Sequence, residues 1–354
     1  MLGFDRKAAR YVWTAALILL LLVLIYLVRK TLFVFTLAIL FAYLLSPLVN
    51  FLDRWLPTRT RTAALALSYI IFVGVMVLLG SQIGSRIVEQ SKELEKDLPA
   101  RMVGWEKPSP DLSPALNNFR TQIVAKVRQQ LTEGSSDLLS GIAQAGLKAV
   151  SVASDLIYVV IVPILAFFFL QDGQVIRQHI LDMVNDGARR ELLDDLMADV
   201  HLLLAHYMRA LVLLCLAAFT AYSMVFSIIG VPYGVLMAAV GGLLEFIPML
   251  GPLTAGILIV IVSALAGSHV VAVLIFLLAY RVFQDYMLSP HLMGQGVEVH
   301  PLLVLFGVFA GAEVAGIAGT FLSVPILALV RISYLRIRKS RLSQQLRPAG
   351  PVTR

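Results

Sequence analysis

Gly234-Val-Leu-Met-Ala-Ala-Val-Gly-Gly-Leu-Leu-Glu245-Phe-Ile-Pro248-Met-Leu-Gly251-Pro252-Leu-Thr-Ala-Gly-Ile-Leu-Ile-Val-Ile-Val-Ser-Ala-Leu-Ala266 is almost wholly apolar, yet it is interrupted in the middle. Pro248, Gly251 and Pro252 prevent one straight helix from running through it. Each half is then about 11 to 15 residues, or about 16 to 22 Å of helix, short of a hydrocarbon thickness of about 30 Å. Two short helices and a tight turn make a hairpin that enters and leaves an apolar layer on one face. Its broken tip is tolerable only where protein or water surrounds it. A second region, Leu302 to Val330, has the same character around the glycine-rich stretch Gly311 to Gly319.

The rest of the chain supplies the apolar layer. Of 354 residues, 59% are hydrophobic and only 14% charged, with mean hydropathy +0.84. A soluble domain carries about 25% charge, so lipid must be part of this chain's solvent. Six uninterrupted segments are long enough to span: Tyr11 to Val28, Thr31 to Phe51, Ala63 to Gly84, Val150 to Leu170, Tyr207 to Ile229 and Val270 to Leu288. The expected fold is an all-α integral membrane protein, a polytopic helical bundle with two re-entrant helical hairpins. The first run is too long for a signal peptide and reads as a retained anchor.

This reading divides the chain into N-terminal transmembrane helices (1–84), an external helical segment (85–148), a transmembrane helix (149–171), a cytoplasmic amphipathic segment (172–206), a transmembrane core with both hairpins (207–331) and a loose basic tail (332–354). Arg6, Lys7 and Arg10, then Arg54, Arg59 and Arg61, then Arg331, Arg336, Arg338, Lys339 and Arg341 flank apolar segments, and positive-inside bias puts both termini in the cytoplasm. The net charge of +7 sits beside apolar runs, which argues against nucleic acid as a partner. Eight full spans would leave the tail on the same side as six spans and two hairpins do. The loop Ser289 to His300 separates the layouts: cytoplasmic with hairpins, external with eight spans.

Two hairpins entering from opposite faces bring their tips together near the midplane, where free backbone groups can hold a solute. Candidate substrate-path residues are therefore Glu245, Pro248, Gly251, Pro252, Gly311, Glu313, Gly316 and Gly319. A carboxylate in lipid costs at least about 2.5 kcal/mol, so Glu245 and Glu313 should face a cavity or carry a proton, or else lie at an interface. Candidate lining or structural positions are Asp172, Gly173, Gln284, Asp285, Ser289, Pro290, His300 and Pro301. Asp172-Gly173 is expected to stop its helix, and Ser289-Pro290 and His300-Pro301 to bracket a loop. No Walker A sequence, dinucleotide fingerprint, metal-spaced histidines or Gly-x-Ser-x-Gly motif is present, and the single cysteine, Cys215, excludes an intrachain disulfide. No cofactor, metal or enzyme activity is expected.

Three stretches resemble the autoinducer-2 exporter family, also called PerM-like permeases. They are Val162-Pro-Ile-Leu-Ala-Phe-Phe-Phe-Leu-Gln-Asp-Gly173; Gly230-Val-Pro-Tyr233 with Phe246-Ile-Pro-Met-Leu-Gly-Pro252; and Gln284 through Ser289-Pro-His-Leu-Met-Gly294 and His300-Pro301 to Gly316-Ile-Ala-Gly319 and Val324-Pro325. The resemblance covers nearly the whole chain. It implies a multi-pass inner-membrane permease with two hairpins, working as a homo-oligomer, a pentamer, by an elevator-like movement. It also implies export of a small polar signal of the autoinducer-2 kind, used in quorum sensing, or sodium/proton antiport. At the family's basic position after Ser-Pro this chain has His291. A non-transporting membrane scaffold, with the external segment binding partners, is the reading from another functional class.

Overall fold

In the computed structural model the described residues are 6–56, 61–106, 117–118, 121–122, 125, 156–185, 187–267, 269–293 and 300–345, and among them every regular element is a helix. They are α1 (Arg6–Leu27), α2 (Arg29–Trp55), α3 (Arg61–Glu106), α4 (Leu156–Asp182), α5 (Gly187–Ile229), α6 (Gly234–Leu244), α7 (Leu250–Leu265), α8 (Val270–Phe283), a π-helical turn (Gln284–Leu288), α9 (Ser289–Met293) and α10 (Pro301–Gln345). Seven segments are long and apolar enough to cross a membrane, and Gly234–Leu244, Leu250–Leu265 and Pro301–Gly316 are shorter apolar helices. Most of the external segment expected at 85–148 lies outside the described residues.

The chain divides into two compact units. Unit 1 holds residues 1–65 and 153–175. Its packing rests on α2, whose Val34, Ala38, Ala42, Leu45 and Val49 recur every three or four residues and form one buried stripe. Phe35 meets Phe169 of α4 edge-to-face at 6.0 Å, and Ala166 and Leu170 are buried nearby in sequence. Arg61 donates to Asn50 Oδ1 at 3.2 Å, which pins the start of α3 to the end of α2. Helix α1 behaves differently. Its residues from Arg10 onward are exposed, and helical hydrogen bonds run through the junction, Val28 N–H to the Leu24 carbonyl and Leu32 N–H to the Val28 carbonyl. Only Val28 departs from helical geometry (φ −93°, ψ 10°). The chain therefore does not reverse between the first two expected spans, at Arg29-Lys30. The Arg29 guanidinium instead stacks on the Tyr26 ring at 3.9 Å and bonds the Tyr26 carbonyl, so the charge is absorbed locally.

Unit 2 holds residues 66–152 and 176–354. Its centre is α5, which packs against α6, α8, α9 and α10. Tyr207, Leu211, Leu214, Ala218, Tyr222 and Phe226 form the stripe that does this. The helix ends at a Schellman turn: Gly230 takes φ +75° and the Val231 amide reaches back to the Phe226 carbonyl. Helices α6 and α7 then form an antiparallel hairpin, since Gly251 lies against Leu244 while Gly241 lies near Ile259. Both limbs are short, as the sequence predicted, at about 16 and 24 Å.

The second hairpin is α10 bent back on itself at Ala315 and Gly316, with Gly316 at φ 61°, ψ −142°, a region open only to glycine. Gly311 and Gly319 bring the two limbs into backbone contact, and a Cβ on either would overlap the other's carbonyl. Gly307 continues the stripe, closing against Leu327. Here the sequence reading needs correction. The first limb is short, but the second runs on past Arg331 to Gln345 and contains a span-length segment, Gly319–Lys339. The basic tail is thus helical through Gln345. Arg336 holds it in place, bonding Asp199 with two nitrogens (2.6 and 3.0 Å) and Asp195 with one (2.9 Å).

Two more boundaries move. Helix α4 continues past Asp172-Gly173 to Asp182, because one exposed glycine costs only about 1 kcal/mol in an otherwise helix-forming run. The amphipathic segment does not end at His206 but is continuous with the following span in α5. Its acidic face is partly used: Asp194 pairs with Arg177 at 2.7 Å and Asp182 with Arg190 at 2.9 Å.

The glycine contacts give a direct test. Gly311→Ala and Gly319→Ala should each cost about 1–3 kcal/mol through backbone overlap, seen as a lower thermal midpoint in detergent. Gly256→Ala, where a Cβ meets open space, should be neutral or stabilising by up to about 1 kcal/mol.

Candidate functional site

The first hairpin breaks at Glu245-Phe-Ile-Pro-Met249. Helix α6 closes with tight bonds, Phe246 N–H to the Leu243 carbonyl (3.2 Å) and Ile247 N–H to the Leu244 carbonyl (2.9 Å). Pro248 has no N–H and cannot continue the helix. Met249 then takes φ 64°, ψ −51°, and Leu250 N–H bonds the Pro248 carbonyl at 2.7 Å. This is a γ-turn with a positive central φ, a rare and strained conformation for a non-glycine residue. Gly251 sits so close to the Leu244 carbonyl that any Cβ would overlap it. Gly251 therefore shapes the turn, and its replacement by leucine would disturb the fold as well as any function.

This turn places Glu245 inward. The residue is only 7% exposed, and its Oε2 accepts a hydrogen bond from Gln284 Nε2 at 2.7 Å. Gln284 is 3% exposed and extends the buried stripe Val273, Leu277, Tyr280 of α8 by one further turn. The oxygen of its amide, Oε1, has no hydrogen-bond partner among the described residues, nor has the buried Tyr280 hydroxyl one turn earlier. An orphaned buried acceptor costs about 1–3 kcal/mol, so its retention beside a buried carboxylate marks a site. From α5, the Tyr222 ring lies 5.1 Å from that of Tyr280 and 5.6 Å from that of Phe276.

Gln284 opens the π turn. The Ser289 amide bonds the Gln284 carbonyl, one residue further back than in an α-helix. Pro290 explains the wider turn: it has no proton to give the preceding turn, and the backbone expands ahead of it. Ser289 itself is helical (φ −61°, ψ −46°), so Ser289-Pro290 does not begin a loop as expected. The other half of that expectation fares better. His300 precedes α10 and its Nδ1 receives the Leu302 amide at 3.2 Å, while Pro301 takes the first helical position. Asp285, the next residue, pairs along the helix with Arg281 at 2.8 Å, as a charged residue in an apolar span requires.

The two hairpins touch. Phe246, in the first break, packs on Phe321, two residues beyond Gly319, with ring centroids 5.8 Å apart. Glu313 is exposed near the second tip, unlike the buried Glu245. Asp172 and Gly173 stay within α4 in unit 1. Among the described residues no cluster of three or more His, Cys, Asp or Glu side chains could hold a metal ion.

Sequence reading missed what holds the base of the first hairpin. The polar continuation of α3 reaches both its ends. Gln90 Oε1 accepts the Leu236 amide at 2.9 Å, one of the free N–H groups at the start of α6. The Tyr233 hydroxyl donates to Asp97 at 2.8 Å. Arg101 donates to the Ala266 carbonyl at the end of α7, also at 2.8 Å, and pairs with Asp97. Leu94 joins the same core. A Gln, an Asp and an Arg at helical spacing on a polar stretch were the only signal available. Gln90→Leu and Tyr233→Phe should each weaken this base by about 1 kcal/mol, read as faster amide hydrogen exchange across Gly234–Leu244. Unchanged exchange in both variants would mean the α3 contacts do not hold the hairpin.

Comparison with known proteins agrees with this architecture. The family model described as "AI-2E family transporter" matches residues 15–339. The Bacillus subtilis "Putative transport protein YueF" is 25% identical, covering 97% of this chain and 99% of that protein. A second B. subtilis protein, "Putative transport protein YrrI", is 23% identical over 88% of this chain and 89% of its own length. The Escherichia coli "Putative permease PerM" is 22% identical over 82% and 86%.

Proposed function

The chain belongs to the AI-2E transporter family, and from that premise we propose that it is a secondary transporter of the bacterial inner membrane that exports a small polar molecule of the autoinducer-2 kind. The observation that carries this reading is the meeting of the two helical hairpins at Phe246 and Phe321, with the buried Glu245–Gln284 pair at the first break. In our reading the hairpins are re-entrant, and the polar groups at their tips, with Pro248, Pro252, Gly311, Gly316 and Gly319 shaping the backbone, line the substrate path. The hairpin region moves as a body in an elevator-like step, and the chain works as a homo-oligomer, a pentamer by family resemblance. Both termini are cytoplasmic.

A sodium/proton antiporter is the second reading, favoured by one observation: a buried carboxylate with no Lys or Arg among the described residues hydrogen-bonded to it. Purified protein in liposomes separates the two. Accumulation of a labelled small polyol without sodium-driven dequenching of a pH dye supports export, and the converse supports antiport. Glu245→Ala should reduce transport at least tenfold under either reading. Cellular function that survives Glu245→Ala and Glu313→Ala but is lost on deleting 85–148 would favour the scaffold. The hairpin layout has its own test. His291→Cys in a Cys215→Ser background should react with an impermeant thiol reagent from the cytoplasmic side only; reaction from outside would remove the convergence of the tips.

A further inference from the structure

We propose that Glu245 and Gln284 form a carboxylic acid–carboxamide pair that holds one exchangeable proton. The amide nitrogen already donates to one carboxyl oxygen at 2.7 Å, and the amide oxygen is left without a donor. A planar amide carries both atoms on one carbon. A proton on the second carboxyl oxygen of Glu245 therefore gives Gln284 Oε1 the donor it lacks and removes a buried charge in one step. The proton comes from water: one O–H bond forms on the carboxylate, one breaks on hydronium, and no other reactant is needed. When it leaves, the carboxylate keeps its bond to Nε2, and Oε1 is orphaned again.

The surroundings suit a neutral pair. Helices α6 and α7 carry no ionisable side chain. Helix α5 contributes Cys215 and Tyr222, and α8 contributes Tyr280 and Arg281. Asp285 of the π turn is the remaining neighbour, and it engages Arg281 at 2.8 Å. Helix α10 presents Phe321 to Phe246. Glu245 thus has an amide partner, and the nearest cation is already occupied. Only the use of this proton in coupling rests on the transport reading above; the pair itself does not.

Infrared difference spectroscopy of the full chain in detergent tests it without any transport assay. Wild type should show a protonated carboxyl stretch that shifts in D2O. Glu245→Gln should lose that band. Gln284→Leu should keep a carboxyl band at higher frequency, because its hydrogen bonds are gone, and Gln284→Asn serves as the polar control if the leucine variant does not fold. Absence of any Glu245-dependent band overturns the proposal.

Discussion

A helix that stops inside an apolar layer leaves backbone groups with no water to bind, and four interruptions among the described residues of unit 2 are organised around that constraint. At the end of α5 the Schellman turn returns an amide to Phe226. At Met249 the γ-turn closes on Pro248 at the expense of a strained φ. At Gly316 the chain reverses in a conformation that only glycine adopts comfortably. Ahead of Pro290 the helix widens to keep Ser289 bonded. None of these breaks is an open loop, and each leaves its flanking helices in tight register.

That economy isolates the polar groups that remain. Glu245 and Gln284 come from different helices and are brought together because one break turns α6 inward while the buried face of α8 carries on into the π turn. The bond between them is buried, and Tyr222, Tyr280 and Phe276 form an aromatic cluster on the neighbouring helices. Chemistry at the tip of the first hairpin is therefore confined to a few atoms, while the base is secured separately by Gln90, Asp97 and Arg101.

The sequence carried the apolar segments and both hairpin breaks, because composition and proline or glycine placement act locally. Helix ends were harder to read. Gly173 and Ser289-Pro290 look like stop signals, yet tertiary packing and a change of helical register carry the chain through them. The basic tail looks loose until the bidentate contacts of Arg336 with Asp199 are seen, a pairing more than a hundred residues apart that no periodicity encodes. The α3 grip on the first hairpin was hidden for the same reason.

The uninterrupted hydrogen bonding across Val28 has a geometric consequence. Residues 6–55 make up a rod of about 75 Å, more than twice the depth of a hydrocarbon core. Such a rod cannot stand upright in one leaflet pair with both apolar stretches immersed. Its first half must lean toward the headgroups or bend at Val28, so the pose of α1 is governed by the thickness of the surrounding lipid rather than by any neighbour in unit 1.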